Sequence, residues 1–363
     1  MGILSCKNYD KESDEKELCS NINNENNTNI LNSNINNENS DVRESNNFFN
    51  KENNNNTIQP STKLKSKNKK TSKEKEFENN ILNYGEIISN ENLETLIKEK
   101  NPNFDKNFLT YESTNNNNEN KFSLPPIQFK KEGQIYYGEW DKDYKKDGFG
   151  INISNDGSIY KGFWSKDFMN KEGYFMDKNG NYYKGELKDG LAEGEGELYL
   201  KNKFKYTGEF HNDKPNGKGK EENFIDKTIY EGNFENGIKN GSGKLEILNE
   251  NIIYEGEFLN GNFEGKGKMK FNDGREYEGE FKNNKINGKG EFIFPNGEKY
   301  IGDYVNDNKQ GKGKYIWNDE KYYDGFWFNN KPHGKGYYYL KGKKIGGIFR
   351  FGKIIQKINE ENL

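Results

Sequence analysis

From residue 136 onward the chain alternates apolar and polar positions with a period of two, and the alternation restarts at a nearly fixed interval. Each restart reads Tyr-x-Gly-x-aromatic. The first is Tyr136-Tyr137-Gly138-Glu139-Trp140, and others begin at Tyr160, Tyr183 (with Leu187 at the aromatic place), Tyr206, Tyr230, Tyr254, Tyr277, Tyr300 and Tyr323. Successive tyrosines lie 24, 23, 23, 24, 24, 23, 23 and 23 residues apart. Residues at i, i+2 and i+4 share one face of a strand, so each restart predicts a strand with Tyr, Gly and an aromatic ring on the same side. A Gly-x-Gly pair follows 11 and 13 residues after the tyrosine, from Gly194/Gly196 through to Gly334/Gly336. The first unit carries one extra residue before Gly148/Gly150, and the second keeps only Gly173, with Lys171 in the other place. A tenth, incomplete unit starts near Ile345. A polar turn of about six residues, such as His211 to Asn216, separates two strands in each unit, which therefore reads as an antiparallel hairpin.

Folding a unit about that turn sets its two glycines opposite each other, Gly208 against Gly219 for instance. With no side chain there, a neighbouring Tyr or Phe ring can lie over bare backbone and close a thin core. The same register sets Glu209 against Lys218, Glu257 against Lys266, Glu280 against Lys289 and Asp303 against Lys312, while Glu186 faces Glu195. One hairpin is marginal in water, so each unit needs its neighbours. The expected fold is an all-β repeat: an elongated, twisted antiparallel β-hairpin solenoid of about nine units, preceded by a largely disordered N-terminal tail. At about 4.8 Å between strands such a rod spans on the order of 80 to 90 Å.

The repeat closely resembles the MORN (membrane occupation and recognition nexus) family, whose pattern reads Y-E-G-E-W-x-N-G-x-x-x-G-x-G. Tyr254-Glu255-Gly256-Glu257-Phe258 and Tyr277-Glu278-Gly279-Glu280-Phe281 match it nearly throughout, and the resemblance covers about residues 129–350. It implies a protein that tethers or organises others at membranes or the cytoskeleton, frequently as a homodimer. Some relatives carry a lipid-kinase or methyltransferase domain beside the repeats; nothing outside the repeats here is long and ordered enough to be one.

The first third has a different character. Of 40 glycines only Gly2 and Gly85 precede residue 128, and 18 of the 36 residues from Asn21 to Asn56 are Asn. Such sequence buries too little apolar surface to offset chain entropy. Within it, Ser89 to Lys100 spaces Leu93, Leu96 and Ile97 for one helix face, with Asn101-Pro102 as its stop. Asn101, Asn103, Asp105 and Glu112 copy the spacing of a calcium loop, but Lys106 stands where the sharp turn requires Gly, and the calcium reading is rejected. The expected divisions are an anchor at 1–20, an Asn/Lys-rich linker at 21–76, a partly ordered segment with one helix at 77–127, the repeats at 128–350 and a cap or tail at 351–363.

Composition narrows the function. Hydrophobic residues are 30%, charged residues 32%, and the net charge is -3; the mean hydropathy is -1.25. No basic field exists to hold nucleic acid, no stretch approaches the roughly 20 apolar residues of a membrane span, and no apolar secretory h-region opens the chain. Cys6 and Cys19 both lie in the tail, and with two His they make a closed zinc site unlikely to form. No metal or cofactor is expected. His211 and His333 are read as turn residues, and Gly241-Ser242-Gly243-Lys244-Leu245 fails the phosphate-loop spacing. No nucleophile–base–orienter set is found, so a non-catalytic protein is expected.

Met1-Gly2-Ile3-Leu4-Ser5-Cys6-Lys7 resembles an N-myristoylation site, with Cys6 where Ser or Thr is usual. A single myristoyl chain binds membranes with an association constant on the order of 10⁴ per molar, so a second signal is required. Cys6 could supply it as a palmitoylation site. Lys63, Lys65, Lys67, Lys69, Lys70, Lys73 and Lys75 form a further candidate contact with anionic lipid. Tyr300, Tyr304, Tyr323 and Trp327 are the candidate docking rings for protein partners, with core packing as their competing role. The reading is a lipid-anchored scaffold on the cytoplasmic face of a membrane. The alternatives are a soluble cytoskeletal or ciliary structural protein, and a phosphoinositide-binding module that regulates an enzyme partner.

Overall fold

A computed structural model of the chain describes residues 70–103 and 121–358. Among these, 23 strands form one open antiparallel sheet in which nearly every strand pairs with its predecessor and successor in sequence. The hairpin beginning near Tyr206 shows why the repeat folds as it does. Strands Phe204–His211 and Lys214–Asn223 are joined by Asn212 and Asp213 alone. Both have left-handed φ, 48° and 65°, the geometry of a two-residue hairpin turn that Asn and Asp tolerate better than other residues with a Cβ. The expected six-residue turn is therefore too long: Lys214, Pro215 and Asn216 belong to the second strand, and His211 and His333 lie on strands beside tight turns.

Gly208 faces Gly219, as the alternation requires. Beyond that pair the register shifts, because Phe210 faces Pro215 and leaves Glu209 opposite three residues. Gly217 takes φ 101° within this bulge. The Glu209 carboxylate bends over it and accepts a hydrogen bond from the Lys218 backbone N–H at 2.8 Å. Glu257 and Asp303 do the same for Lys266 and Lys312, at 3.3 and 3.1 Å. So the acid caps backbone within its own hairpin. The opposed charges expected inside a unit occur between units: Lys266 faces Glu280 and Lys289 faces Asp303. Glu186 faces Glu172, and Glu195 faces Glu209.

One column of tyrosines forms the core. Tyr136, Tyr206, Tyr230, Tyr254, Tyr277, Tyr300 and Tyr323 are wholly buried. Each repeat tyrosine donates its hydroxyl to the carbonyl three residues on, at 2.9 Å for Tyr206 to Glu209 and 3.0 Å for Tyr323 to Phe326. Except at Tyr160 and Tyr183, where Leu187 replaces one aromatic neighbour, each ring then meets two others edge-on. Tyr206 lies 5.0 Å from Phe210 of its own unit and 5.0 Å from Phe234 of the next. Edge-to-face pairs of this kind add about 0.5–1.5 kcal/mol beyond burial.

A second stitch joins successive hairpins. Asn284 in a turn donates its backbone N–H to the Phe263 carbonyl at 3.1 Å, and its side-chain oxygen accepts the Phe263 N–H at 2.7 Å. Asp213 with Ala192, Asp307 with Ile286 and Asn330 with Lys309 repeat the arrangement. Gly190, Gly237, Gly261 and Gly352 keep only the backbone half of the stitch, donating to the carbonyls of Met169, Pro215, Lys239 and Pro332.

The start of the sheet is capped. Helix α1 (Ser72–Leu82), strand β1 (Gly85–Ile87), helix α2 (Asn90–Lys100) and strands β2 (Phe122–Ser123) and β3 (Ile127–Phe129) precede β4 (Ile135–Trp140). Strands β2 and β3 pair with different halves of β4, and β1 pairs with β3. Helix α2 fulfils the expectation for residues 89–100, with Ser89 as N-cap. Helix α1 was not expected, and it takes residues 72–76 out of the linker. It opens with a capping box between Thr71 and Glu74, and Phe77 stacks on Phe122 at 4.2 Å and Tyr144 at 4.5 Å.

Candidate interaction surfaces

Each strand presents a tyrosine face and an opposite face, and the two differ in what they permit. On the tyrosine face a Cβ at Gly219 would lie 2.3 Å from the Tyr206 hydroxyl, and one at Gly313 would lie 2.2 Å from that of Tyr300. Burial raises the hydroxyl pKa of Tyr160, Tyr183, Tyr206, Tyr230, Tyr254 and Tyr323 well above the ordinary phenol value. This face is core, and that decides the four candidate docking rings. Tyr300, Tyr304, Tyr323 and Trp327 are 0, 3, 0 and 7% exposed. They pack with one another at 5.1 to 5.3 Å, and the Trp327 indole N–H is spent on the Gly313 carbonyl at 2.8 Å. The docking surface expected of them is replaced by their packing role.

The opposite face changes along the sheet. In the first units it is apolar and covered: Leu93 and Ile97 of α2 cluster with Ile135, Ile151, Ile153, Ile159 and Met176. Asn101, at the helix end, donates to the carbonyls of Gly157 and Asp177 at 3.0 and 3.3 Å, and Asn103 donates to that of Lys178 at 2.9 Å. Those contacts give the two residues a structural role in place of the rejected calcium loop; Asp105 and Glu112 lie outside the described residues. In the middle units the face carries paired charges, with Lys205–Glu197 at 2.9 Å, Lys220–Glu222 at 2.8 Å and Lys244–Glu246 at 2.6 Å. Exposed pairs contribute little to stability. In the last units it turns aromatic again, with Tyr322 stacked on Tyr339 at 4.8 Å and Phe326 exposed.

Titratable groups elsewhere have local explanations. Lys146 is held over Trp164 at 4.6 Å and Tyr136 at 5.1 Å and donates to Asn152 Oδ1 at 2.7 Å. Desolvation lowers its pKa to about 8 against the opposing pull of Asp167 and Glu132. His211 pairs with Glu193 at 3.0 Å. The Asn212 N–H, then His211, hold the Glu193 carboxyl below its ordinary value. His333 packs against Phe351 and Phe328 at 5.1 and 5.5 Å. Gly241 to Leu245 is strand, with Gly243 under the Tyr230 ring. No cluster of three potential metal ligands occurs among the described residues. A shallow cleft of about 480 Å³ near the turns is lined by Lys282, Asn283, Lys285, Asn287 and Asn306.

Of the tail candidates, Gly2, Cys6, Lys63, Lys65, Lys67 and Lys69 lie outside the described residues. Lys70 pairs with Glu78 at 2.7 Å, and Lys73 and Lys75 are exposed on α1.

Comparison with protein families finds the MORN repeat model at residues 183–203, 206–222, 230–247, 254–274, 277–299, 300–321 and 323–342. Residues 183–342 are an array of seven MORN repeats, and the chain is a MORN-repeat protein. The units at Tyr136 and Tyr160 fall outside those seven matches, yet both keep the repeat's hydroxyl-to-carbonyl bond, at 2.9 Å each. No curated protein matches the sequence. Among solved structures, the chain is similar to the TCP domain of SAS-4 (dCPAP) of Drosophila melanogaster, in complex with a proline-rich motif of Ana2 (dSTIL). That match has 18% identity over 43% of this chain and 85% of that one, at a TM-score of 0.29. It is also similar to the TCP10 domain of Danio rerio CPAP in complex with a STIL peptide, at 13% identity, 66% and 97% coverage and a TM-score of 0.31.

Proposed function

We propose that this chain is a non-catalytic scaffold that gathers protein partners on a MORN-repeat array and is held at the cytoplasmic face of a membrane by N-terminal acylation. The observation that carries the scaffold half is the seven-repeat family match laid out as one continuous sheet, since MORN repeats suggest a repeat-based protein-interaction scaffold. The opposite face of that sheet can change residue by residue while the tyrosine face keeps the fold. The anchoring half is supported by Gly2 with Cys6 and the lysines from Lys63 to Lys75. Myristate on Gly2 would hold Cys6 at the bilayer surface, and palmitate there would turn reversible binding into stable anchoring.

The test is metabolic labelling with alkynyl myristate and alkynyl palmitate, followed by fractionation of cells expressing the chain, Gly2→Ala and Cys6→Ser. Both labels are expected on the parent chain. Gly2→Ala should lose both labels and move to the soluble fraction, and Cys6→Ser should keep only myristate and bind weakly. A Gly2→Ala chain that stays with membranes would overturn anchoring by acylation and favour targeting through the repeats or a partner.

A further inference from the structure

We infer that the opposite face of the last repeats is a docking surface for an acidic amphipathic helix of a partner protein. The inference deepens the scaffold reading and rests on it.

The repeat supplies the first argument, because positions of equal phase can be compared along the sheet. In the first units α2 covers Ile159, Ile151 and Ile153, which stand one residue before the repeat tyrosine and one and three residues after the second glycine. In the last units the same phases hold Tyr322, Tyr337 and Tyr339. Between them those phases are mixed: Lys205, Lys220 and Glu222 in one unit and Glu276 and Lys270 around others are charged, while Tyr182, Tyr199, Ile229, Ile253, Ile293 and Ile316 are apolar. All three phases are apolar together in the first two units and again in the last, and each unit between them carries at least one charge there. At the first end the chain lays its own helix on that face, with Leu93 3% and Ile97 0% exposed against it. At the far end no helix covers the rings among the described residues, and Phe326 and Ile301 are 42 and 45% exposed.

Charge selects the occupant. Lys314 sits 3.9 Å over the Tyr322 ring, Lys344 is 4.6 Å over Tyr337, and Lys312 is 5.7 Å over Phe326. Lys335 is exposed on the same face, facing Ile348. The acids of the same face are Asp324, to which Tyr337 donates its hydroxyl at 3.4 Å, Asp303, which accepts the Lys312 N–H at 3.1 Å, and Glu291 opposite Ile301. A stacked aromatic strip rimmed by four cations fits a helix with an apolar stripe and carboxylates along both sides. Helix α2 shows that a three-turn helix with Leu93, Leu96 and Ile97 is long enough to occupy these phases.

The probe is a fluorescein-labelled synthetic peptide with the sequence of residues 88–101 carrying Lys98→Glu and Lys100→Glu, titrated against the full chain by fluorescence anisotropy. A peptide of the same composition with its apolar positions scattered serves as comparison. Saturable binding is expected for the amphipathic peptide and at least tenfold weaker binding for the scattered one. Lys314→Glu with Lys344→Glu, both at the rim, should weaken the acidic peptide by about tenfold or more and favour a version bearing Lys in place of its Glu residues. Phe326→Ser, at an exposed ring, should weaken both. Equal binding of the two peptides, or binding unaffected by the charge reversal, would overturn the inference; the latter is what displacement of α2 at the other end would give. A concentration-dependent dimer in sedimentation velocity, abolished by Phe326→Ser, would also overturn it by naming a second copy as the occupant. None of these outcomes depends on Gly2 or Cys6, so this surface and the membrane anchor stand or fall separately.

Discussion

Gly219→Ala is the sharpest perturbation of the array, because it adds one methyl where the geometry leaves no room. Gly219 has an ordinary strand conformation and faces Gly208, so the substitution brings no left-handed strain. The new Cβ would lie 2.3 Å from Tyr206 Oη and 2.5 Å from two of its ring carbons. Contact distance is nearer 3.5 Å, so the ring must move by about 1 Å. It cannot do so freely, being wholly buried and set edge-on between Phe210 and Phe234, both at 5.0 Å. Overpacking of this kind costs about 1–3 kcal/mol. Loss of the 2.9 Å bond to the Glu209 carbonyl costs about 1–3 kcal/mol more, and Ala returns less than about 1 kcal/mol through the unfolded state. The terms combine to a net loss of about 1–6 kcal/mol, centred on about 3–4. In a repeat array it should stay local, in the hairpins that share Tyr206 and Phe234. Hydrogen exchange read by mass spectrometry should show residues 204–235 exchanging two to three orders of magnitude faster, with Lys321–Leu340 unchanged. Thr207→Ala, next to Gly208 on the opposite face, should change exchange less than about threefold. Unchanged protection in Gly219→Ala, or loss spread evenly along the sheet, would refute the ring-over-glycine account.

Asn284→Gly should destabilise its hairpin by about 1–2 kcal/mol although Gly suits the turn's φ of 64°, because the Phe263 N–H loses its 2.7 Å acceptor; denaturant melts of the two chains would show it. Lys171→Gly should stabilise by up to about 1 kcal/mol, because Lys171 holds φ 57° where other units place Gly, and no gain in the melt would refute that strain. Alkaline titration should unfold the array cooperatively. Six repeat tyrosines have hydroxyl pKa values raised by burial, so the folded form keeps protons that the unfolded chain releases near pH 10. Their contribution is intact below pH 10 and lost as pH climbs above it. Lys146 has the reverse sign: its pKa falls to about 8, so its burial penalty eases between pH 8 and 10.5, partly masking the onset. Tyrosinate absorbance should therefore rise in one late step that coincides with loss of the strand signal; gradual absorbance growth in a folded chain would contradict it.

How much of this was legible in the sequence depends on the range of the contact concerned. Period-two alternation fixed the strands, and the Tyr-to-Gly spacing placed Gly208 opposite Gly219, because both are consequences of the pleat. The bulge was not legible, since the extra residues opposite Glu209 create no break in the alternation; the glycine at its centre was the only trace. The two-residue turn was hidden by Lys214-Pro215-Asn216, which reads as loop but forms strand. Helix α1 did leave a signal, the Thr71-x-x-Glu74 box followed by Phe77 and Ile81 four residues apart, masked by the lysine run before it. The turn-to-turn stitch was also written in the chain where Asn or Asp recurs 21 residues on, as for Ala192 and Asp213, Phe263 and Asn284, and Ile286 and Asp307. The candidate docking rings went wrong for a physical reason: one-dimensional pattern marks Tyr300 and Trp327 as a row of rings, but not that the next hairpin closes over them.

That last point bears on where function can reside in such an array. The tyrosine face is fixed by contacts that leave no spare volume: a ring over two glycines, a hydroxyl on a carbonyl and two edge-on neighbours. A change there alters the fold before it alters recognition. The opposite face meets no such demand. Its residues can be isoleucine under α2, lysine–glutamate pairs in the middle or stacked tyrosine at the end without disturbing the hydrogen-bonded ladder. Its variation along an otherwise regular sheet therefore carries the information that the repeat itself does not. On that argument the first units, where the face is already occupied by α2, serve to cap the array, and the middle units carry ion pairs there. Recognition is left to the aromatic, lysine-rimmed end.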